Sequence, residues 1–205
     1  MFYKPHWNIK HETTRSLSEM QRLYLNESIF IRAVTLWTTG VAVMATLWAL
    51  SYRGAPEGFL SDKLIVSALD FNQPSKIYVF VKILGYNLVF TCAPIFVANL
   101  FRVKWLPLGY LLALYHWGLY GLLLGTNSFY FRLAFRPVPS FEGMFSGAGF
   151  YEISSYTIIA SSTYSLPLTK VKASFLKALS FQDRVGLTAG FIMLFFSNLY
   201  EAWNI

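Results

Sequence analysis

Five apolar stretches constrain this chain more than any other feature of its sequence. They cover residues 31–52, about 78–101, 105–125, about 144–166 and 185–203. The first holds about 22 residues, which in a helix rising 1.5 Å per residue reach about 33 Å, enough to cross the hydrocarbon core of a bilayer. The sequence therefore predicts an all-α fold: a polytopic transmembrane helix bundle with about five spans plus interfacial amphipathic helices.

The composition agrees with a membrane location and argues against a nucleic-acid partner. Charged residues make up 13% of the chain, against about 25% in soluble domains, and hydrophobic residues make up 55%. The net charge is +7, but Lys and Arg form no continuous stripe, so contact with anionic lipid explains the charge better. We predict a cytoplasmic amphipathic segment over residues 1–30 and a single transmembrane domain over residues 31–205, embedded in the lipid bilayer.

The distribution of positive residues sets the predicted orientation. With the N-terminus in the cytoplasm, the inner segments carry more Lys and Arg than the outer ones, as the positive-inside rule requires. Five spans then place the C-terminus outside, in a multi-pass protein of the cell inner membrane. A fourth segment that entered and left the membrane on the same side would undo this orientation.

Three segments beside the spans have the pattern of helices that lie on the membrane surface. The first opens with a capping box at residues 16–19, and the second covers residues 59–71. The third, residues 168–181, has a basic face that we predict to contact anionic lipid headgroups. Its lysines are Lys170, Lys172 and Lys177. A surface on which a partner protein docks is the alternative interpretation of all three.

Small residues in the third and fourth spans predict close packing of helices. Gly121 and Gly125 form a GxxxG pair, which lets two helix backbones approach each other. We predict that this face packs against another helix of the same chain rather than against a second copy. The predicted packing glycines are Gly118, Gly121, Gly125, Gly147 and Gly149.

The fourth segment is unusually polar for a membrane helix. Between residues 146 and 163 it holds many Ser and Thr residues together with Glu152. Because so many hydroxyl groups cannot all face lipid, this helix is predicted to lie at the centre of the bundle with Glu152 turned inward. Ser155, three residues after Glu152, lies on the same face.

Two carboxyl groups in apolar surroundings, those of Glu152 and Glu201, carry the strongest functional signal. An ionised carboxyl in hydrocarbon is costly, so such a residue marks either a structural interhelical bond or a functional site. Lys82 is a candidate partner for Glu152 at a similar depth. Glu201 is interpreted as a wet helix end, and His116 as a packing residue that makes a hydrogen bond. The predicted intramembrane polar network consists of Lys82, Asn87, His116, Glu152, Ser155 and Glu201.

Familiar catalytic motifs are missing from the sequence. It contains no GxxxxGK[ST], HExxH or GxSxG pattern, so nucleotide hydrolysis by a P-loop and the zinc-peptidase and serine-hydrolase chemistries find no support. Three histidines and the single Cys92 form no metal-binding pattern. We therefore predict no catalytic residues, no metal site and no cofactor.

Several motifs from Lys82 onward occur together in one known family of membrane proteins. They are Gly-Phe-Tyr-Glu in the fourth span followed by small residues, Glu-Ala near the end of the last span, Asn87 in Gly-Tyr-Asn, Asn99-Leu100-Phe101, and a glycine-rich third span ending in Gly-Thr-Asn. On these residues the chain resembles the stage II sporulation protein M family. The resemblance implies five spans with the N-terminus inside, and it matches Glu152 and Glu201 to glutamates of the family. The family's usual histidine before the glycine of the fourth span is Ala148 here, so a mechanism that rests on that histidine does not carry over.

Three candidate functions follow from the resemblance and from the lack of catalytic motifs. The first is a non-enzymatic integral membrane scaffold or accessory subunit of a larger complex, with other membrane protein subunits as partners in a homo- or hetero-oligomer. The second is the permease subunit of a two-component transporter, with a separate ATPase docked on the inner loops. The third is an intramembrane enzyme that uses Glu152, His116 and Glu201, which would have to converge on one substrate atom.

Overall fold

The structure, a computed structural model, describes residues 19–61, 75–129, 133–145, 147–166 and 178–204. Nearly all of its regular structure is helical, which confirms the predicted all-α fold. The elements in chain order are α1 (Ile29–Gly54), α2 (Lys76–Tyr86), a π-helical turn (Asn87–Cys92), α3 (Ala93–Asn99), β1 (Arg102–Val103), β2 (Leu106–Pro107), α4 (Leu108–Thr126), α5 (Phe141–Phe145), α6 (Ala148–Thr163) and α7 (Phe181–Asn204). The two strands form one short antiparallel pair.

Four helices in the described part of the chain are long and apolar enough to cross a membrane. They are α1, the continuous helix Lys76–Asn99, α4 and α7. Large apolar side chains such as Phe30, Val89 and Phe196 lie exposed on their outer surfaces. Soluble monomers rarely expose large contiguous apolar surfaces, so the chain has the architecture of a multi-pass membrane protein.

Five helical stretches run through the bundle in alternating directions. Arg32, at the start of α1, contacts Asp183 at the start of α7 and the Ser161 carbonyl near the end of α6. These three helix termini therefore meet at one end of the bundle, which we call the Arg32 end. At the other end, called the Arg136 end, Arg136 binds carbonyl groups at the C-terminal ends of α1 and α4. Helix α6 thus runs from the Arg136 end to the Arg32 end.

Helix α6 is shorter than the span predicted over residues 144–166. It covers 16 residues, or about 24 Å at 1.5 Å per residue, against about 30 Å for the hydrocarbon core of a bilayer. The length differs because the chain before Gly147 forms the separate short helix α5. Within α6 only Gly149, Tyr151, Glu152 and Ile158 escape full burial, and the helix contacts α1, α3, α4 and α7. The prediction that this polar helix is central is therefore confirmed.

Two buried hydroxyl groups of α6, those of Ser154 and Thr157, link this helix to its neighbours. Thr157 Oγ1 donates to the carbonyl of Ile153, one turn earlier, at 3.0 Å, and it also accepts from Trp117 Nε1 of α4 at 2.8 Å. Ser154 Oγ is used in the same way, since it accepts from Trp37 Nε1 of α1 at 3.0 Å. These two hydroxyls thus serve the backbone of their own helix and join a neighbouring helix, which is how Ser and Thr link helices in membranes.

Glycines bring α1 and α4 into backbone contact. A Cβ added at Gly121 would overlap the carbonyl oxygen of Met44, and one added at Gly125 would lie 2.7 Å from the carbonyl oxygen of Trp48. The four-residue spacing of the glycines matches the four-residue spacing of the carbonyl groups on α1, so the two parallel helices approach along a seam. The GxxxG pair packs within one chain.

The π-helical turn has an identifiable local cause in Pro94. Proline has no N–H to donate to the carbonyl of residue 90, and its ring would clash with that carbonyl in a regular α-helix. The chain widens by one residue before the proline, so that Ala93 N–H bonds to the carbonyl of Leu88 instead. This wider turn buries Asn87, at its start, together with Thr91 and Cys92.

Most of the predicted surface helices lie outside the described residues. This holds for the capping-box residues 16–18, for residues 62–74, and for Lys170, Lys172 and Lys177. Residues 19–24 are helical, and Tyr24 packs against Trp105 and Tyr110 while its hydroxyl bonds to Thr39 at 2.5 Å. Tyr24 thus belongs to the bundle at the Arg32 end.

Candidate functional site: a carboxyl pair between two helices

Glu152 and Glu201 meet between two antiparallel helices. Glu152 lies in the second turn of α6 and Glu201 lies in the last turn of α7. Their carboxyl groups lie next to each other, and both residues are half-buried. The two carboxyl groups that stand out in the apolar segments are therefore brought to one place in the bundle.

Two asparagines connect the carboxyl pair to the second membrane helix. Asn87 Nδ2 donates to Glu152 Oε1 at 3.1 Å and to Asn198 Oδ1 at 2.7 Å. Asn87 comes from the π-helical turn, whereas Asn198 lies on α7 three residues before Glu201 and is fully buried. Residues from three helices therefore form one polar cluster, consisting of Asn87, Glu152, Asn198 and Glu201.

One donor in this cluster has no partner among the residues that the structure describes. Asn198 Nδ2 is buried and makes no hydrogen bond. Leaving a buried donor unsatisfied costs about 1–3 kcal/mol, and native structures leave few such groups without a partner or an ordered water. Asn198 Nδ2 can therefore donate a hydrogen bond to one further acceptor.

Tyrosine and cysteine side chains lie around the cluster. Tyr156, one turn after Glu152 on α6, forms a side-chain hydrogen bond with Thr91 of the π-helical turn. Cys92 of the π-helical turn and Tyr120 of α4 also lie near Glu152. Thiol and phenol groups are much weaker acids than carboxyl groups, so Glu152 and Glu201 are the strongest acids among these side chains.

The structure places the remaining predicted network residues elsewhere. The ammonium group of Lys82 lies 4.7 Å from the centre of the Tyr78 ring. Lys82 was the predicted partner of Glu152, but the side chains that Glu152 contacts are those of Asn87 and Glu201. Ser155 Oγ donates to the carbonyl oxygen of Glu152 at 2.5 Å, so it bonds to the backbone rather than to the carboxyl group.

His116 lies beside the cluster without joining it. Its Nδ1 donates to the carbonyl of Leu112, one turn earlier, at 2.7 Å. Its ring makes edge contacts with Tyr115 and Tyr156, with ring centres 5.5 and 5.6 Å apart. This is the packing role that the sequence indicated.

Glu201 is partly exposed in the last turn of α7, and its carboxyl group also lies beside that of Glu152 on the neighbouring helix. The residue that sequence reasoning missed is Asn198. Its signal was present in the spacing, since residues three apart on a helix lie on one face, and Asn198 precedes Glu201 by three.

A second cluster at the Arg32 end was also missed. Arg32, fully buried, forms an ion pair with Asp183, donates to the carbonyl of Glu27 at 2.9 Å, and stacks 3.8 Å from the centre of the Tyr164 ring. In the sequence, Arg32 is one of the many Lys and Arg residues on the predicted inner segments, and its pattern does not single it out. Because Arg32 lies on α1 and contacts residues at the ends of α6 and α7, it joins the ends of these three helices.

The described residues bring together no group of three or more His, Cys, Asp or Glu side chains that could hold a metal ion. Comparisons with protein-family models, with curated proteins and with solved structures find no match to this chain. The resemblance to the stage II sporulation protein M family therefore stays a prediction from the motifs.

Proposed function

We propose that the chain is a non-enzymatic integral membrane subunit that holds a partner protein within a larger membrane assembly. The observation that carries this proposal is a shallow groove of about 370 Å³ on the lipid-facing side of α7. Its lining residues are Thr188, Phe191, Ile192, Phe195 and Phe196. Packing, rather than the hydrophobic effect, drives association of helices in lipid, so a concave aromatic surface is a favourable seat for another membrane helix.

The walls of this groove are held in place from inside. Phe191 stacks on Phe96 with the ring planes 13° apart, and Phe195 meets the edge of Phe80 with ring centres 5.1 Å apart. Ile192 and Phe196, in contrast, are more than half exposed. Rigid aromatic groups lose little conformational entropy on binding, which is why they dominate interfaces between proteins.

Photo-crosslinking in native membranes tests the proposal. A benzoyl-phenylalanine in place of Ile192, at the middle of α7, is expected to yield a discrete adduct with one partner protein. The matched control is the same amino acid in place of Ala42, which is exposed near the middle of α1 and should label lipid only. Identical labelling from both positions would refute the proposed partner surface.

A second candidate function is the permease subunit of a transporter driven by a separate ATPase. It is favoured by the carboxyl pair, because ionisable residues inside membrane bundles commonly mark substrate or ion pathways. Purification from native membranes under mild detergent should then recover a P-loop ATPase in stoichiometric amount. Recovery of other membrane proteins without an ATPase would leave the first proposal and remove the second.

In both proposals the Arg32 end faces the cytoplasm and the Arg136 end faces outward, in the cell inner membrane. The excess of Lys and Arg on the predicted inner segments supports this orientation. Accessibility of single cysteines to a membrane-impermeant thiol reagent tests it. A cysteine at Glu142, exposed near the Arg136 end, should react from outside the cell.

A further inference from the structure

We propose that residues 133–145 form an interfacial anchor, which inserts apolar side chains into the lipid leaflet at the Arg136 end of the bundle. The segment lies between α4 and α6 in the chain and includes α5. The inserted side chains are those of Leu133, Phe135, Val138 and Phe141. The anchor goes beyond the proposed partner-holding function and does not depend on it.

The first observation is the exposure of large apolar side chains in this segment. Phe135 is 86% exposed, Phe141 is 77% exposed and Val138 is 61% exposed. Leaving apolar surface in water costs about 25 cal/mol per Å², and apolar patches on a protein surface mark sites of contact with proteins or membranes. The exposed side of the segment therefore requires an apolar neighbour.

The second observation is that the backbone of the segment is bound to the bundle although its side chains are exposed. Asn127, which follows α4, bonds to the N–H and to the carbonyl group of Leu133 at 3.1 and 3.0 Å. Trp48 Nε1 of α1 donates to the carbonyl oxygen of Pro137 at 3.1 Å. These bonds satisfy backbone groups for which a membrane interior offers no water. The segment is thus held in one position, with its apolar side chains directed away from the bundle.

The third observation is the depth of the segment, which its contacts with Trp48 define. Trp48 binds Pro137, and a Cβ added at Gly143 would lie 3.0 Å from the Trp48 ring. Trp48 is six residues before the end of α1 at Gly54, or about 9 Å along the helix. Since the 26 residues of α1 reach about 39 Å, against about 30 Å for the hydrocarbon core, Trp48 lies near the boundary between acyl chains and headgroups. Leu50, still nearer the end of α1, is 63% exposed on the outer surface, so lipid is the neighbour that this level favours.

The two charged residues of the segment suit this depth. Arg136 turns inward, where its guanidinium group donates to the carbonyl groups of Gly125 and Ser51, so its charge does not meet acyl chains. Glu142 is exposed, but it follows Phe141 in the helix α5, and consecutive residues of a helix point about 100° apart. Phe141 can therefore enter the lipid while Glu142 faces the headgroups, as in other interfacial segments.

Spin-label accessibility of the full chain in vesicles of phosphatidylethanolamine and phosphatidylglycerol tests the depth. With Cys92 replaced by alanine, single labels replace Phe135 or Phe141. Leu50 is the lipid-facing standard and Pro56, exposed beyond the end of α1, is the aqueous standard. A difference between the two standards shows that the protein is folded and inserted. The labels at Phe135 and Phe141 should collide several-fold more often with oxygen, which concentrates in lipid, than with a water-soluble nickel complex, as the Leu50 label does.

Two other results of this experiment would overturn the proposal. Collision rates like those of the Pro56 label would place the segment in water. Low collision rates with both reagents would show that a second copy of the chain covers it.

Photo-crosslinking in native membranes tests whether lipid is the occupant there. Benzoyl-phenylalanine in place of Phe141 should yield adducts with the mass of a phospholipid, and the same amino acid in place of Pro56 should yield several-fold fewer. A discrete protein adduct at Phe141 would assign the surface to a protein partner and overturn the lipid anchor. Because Phe141 lies on α5 and Ile192 lies on α7, the result at Phe141 is distinguishable from the test of the partner surface.

Discussion

The α1–α4 interface and the α6–α7 interface hold the same bundle together by opposite means. Along α1–α4, Gly121 and Gly125 remove side chains so that two backbones touch. Along α6–α7, the helices are joined by charged and polar groups, with the Arg32–Asp183 ion pair at one end and the Glu152–Glu201 pair towards the other. The first interface cannot change without loss of contact, whereas the second contains groups whose charge can change.

The two arginine clusters follow the same division. Arg136 donates only to carbonyl groups, at Gly125 (2.6 Å), Ser51 and Ala55 (both 2.8 Å), and so it binds the negative ends of two parallel helix dipoles. Arg32 binds a carboxylate across the bundle. At its end the α1–α4 interface therefore has an arginine bound to neutral carbonyl groups, whereas the α6–α7 interface has an ion pair. Substitutions in the two interfaces should therefore differ in their effect on stability.

The largest effect is expected for Asp183→Ala. The change leaves Arg32 fully buried and without its carboxylate, and breaking a buried pair in this way costs about 3–5 kcal/mol. The free energy of unfolding, measured by denaturant titration in detergent micelles, should fall by this amount. Replacing both residues by leucine should recover much of the loss, because no unpaired charge remains. A loss equal to that of an exposed substitution would show that the pair does not hold the interface.

Next is Gly121→Ala, which adds one methyl group against the backbone of Met44. Overpacking costs typically about 1–3 kcal/mol, and here the neighbour is a backbone that cannot rotate away. The matched control is Gly85→Ala, also in a membrane helix, where an added Cβ meets nothing within 4 Å. The control should be neutral or up to about 1 kcal/mol more stable, because alanine favours the helix. Equal stabilities for the two variants would contradict the close contact.

A smaller loss, about 1–2 kcal/mol, is expected for Asn87→Leu. The change removes the donor to both Glu152 and Asn198 but leaves the two glutamates in place, so only part of the polar cluster is lost. Asn204→Leu, on the exposed end of α7, is the control and should change the free energy of unfolding by less than about 0.5 kcal/mol. Comparable effects from the two would argue against the cluster as a stabilising contact.

The smallest effect is expected for Arg136→Gln. A cation at a helix C-terminus contributes about 0.3–1 kcal/mol in exposed positions and more when partly buried, so a loss of about 1 kcal/mol is expected for this half-buried residue. Arg53→Gln, an exposed charge in the last turn of α1, is the control. Thermal unfolding of the two variants side by side should place Arg136→Gln lower, and the reverse order would contradict the proposed binding of both helix ends.

Much of the architecture could be read from the residues. The bilayer-length apolar stretches predicted the long helices, and the density of Ser and Thr predicted that α6 is central. The start of α6 could not be predicted from the sequence, because apolar residues are also present before Gly147, in α5. No change in composition marks the break between the two helices. The π-helical turn was signalled by Pro94, but its effect on the direction of Asn87 depends on the backbone.

The candidate site was only half visible in the sequence. Glu152 and Glu201 stand out because carboxyl groups are rare in hydrocarbon. Nothing in the sequence, however, shows that the two residues lie beside each other. In a soluble protein the apolar face of a helix points to the core, but in lipid both the core and the surroundings are apolar. The residue pattern of either helix therefore does not predict which way Asn198 points. It also does not predict the distance between two glutamates on separate helices.

By itself, the sequence determined that this chain forms long membrane helices and that two of them carry a carboxyl group, because length and polarity are properties of each segment alone. Only the tertiary structure decided that the carboxyl groups of Glu152 and Glu201 face each other, that Asn87 joins them, and that Arg32 reaches Asp183. Those facts depend on how each helix is rotated about its axis. That rotation is set by close contacts such as those of Gly121 and Gly190, which form only when the whole bundle is assembled.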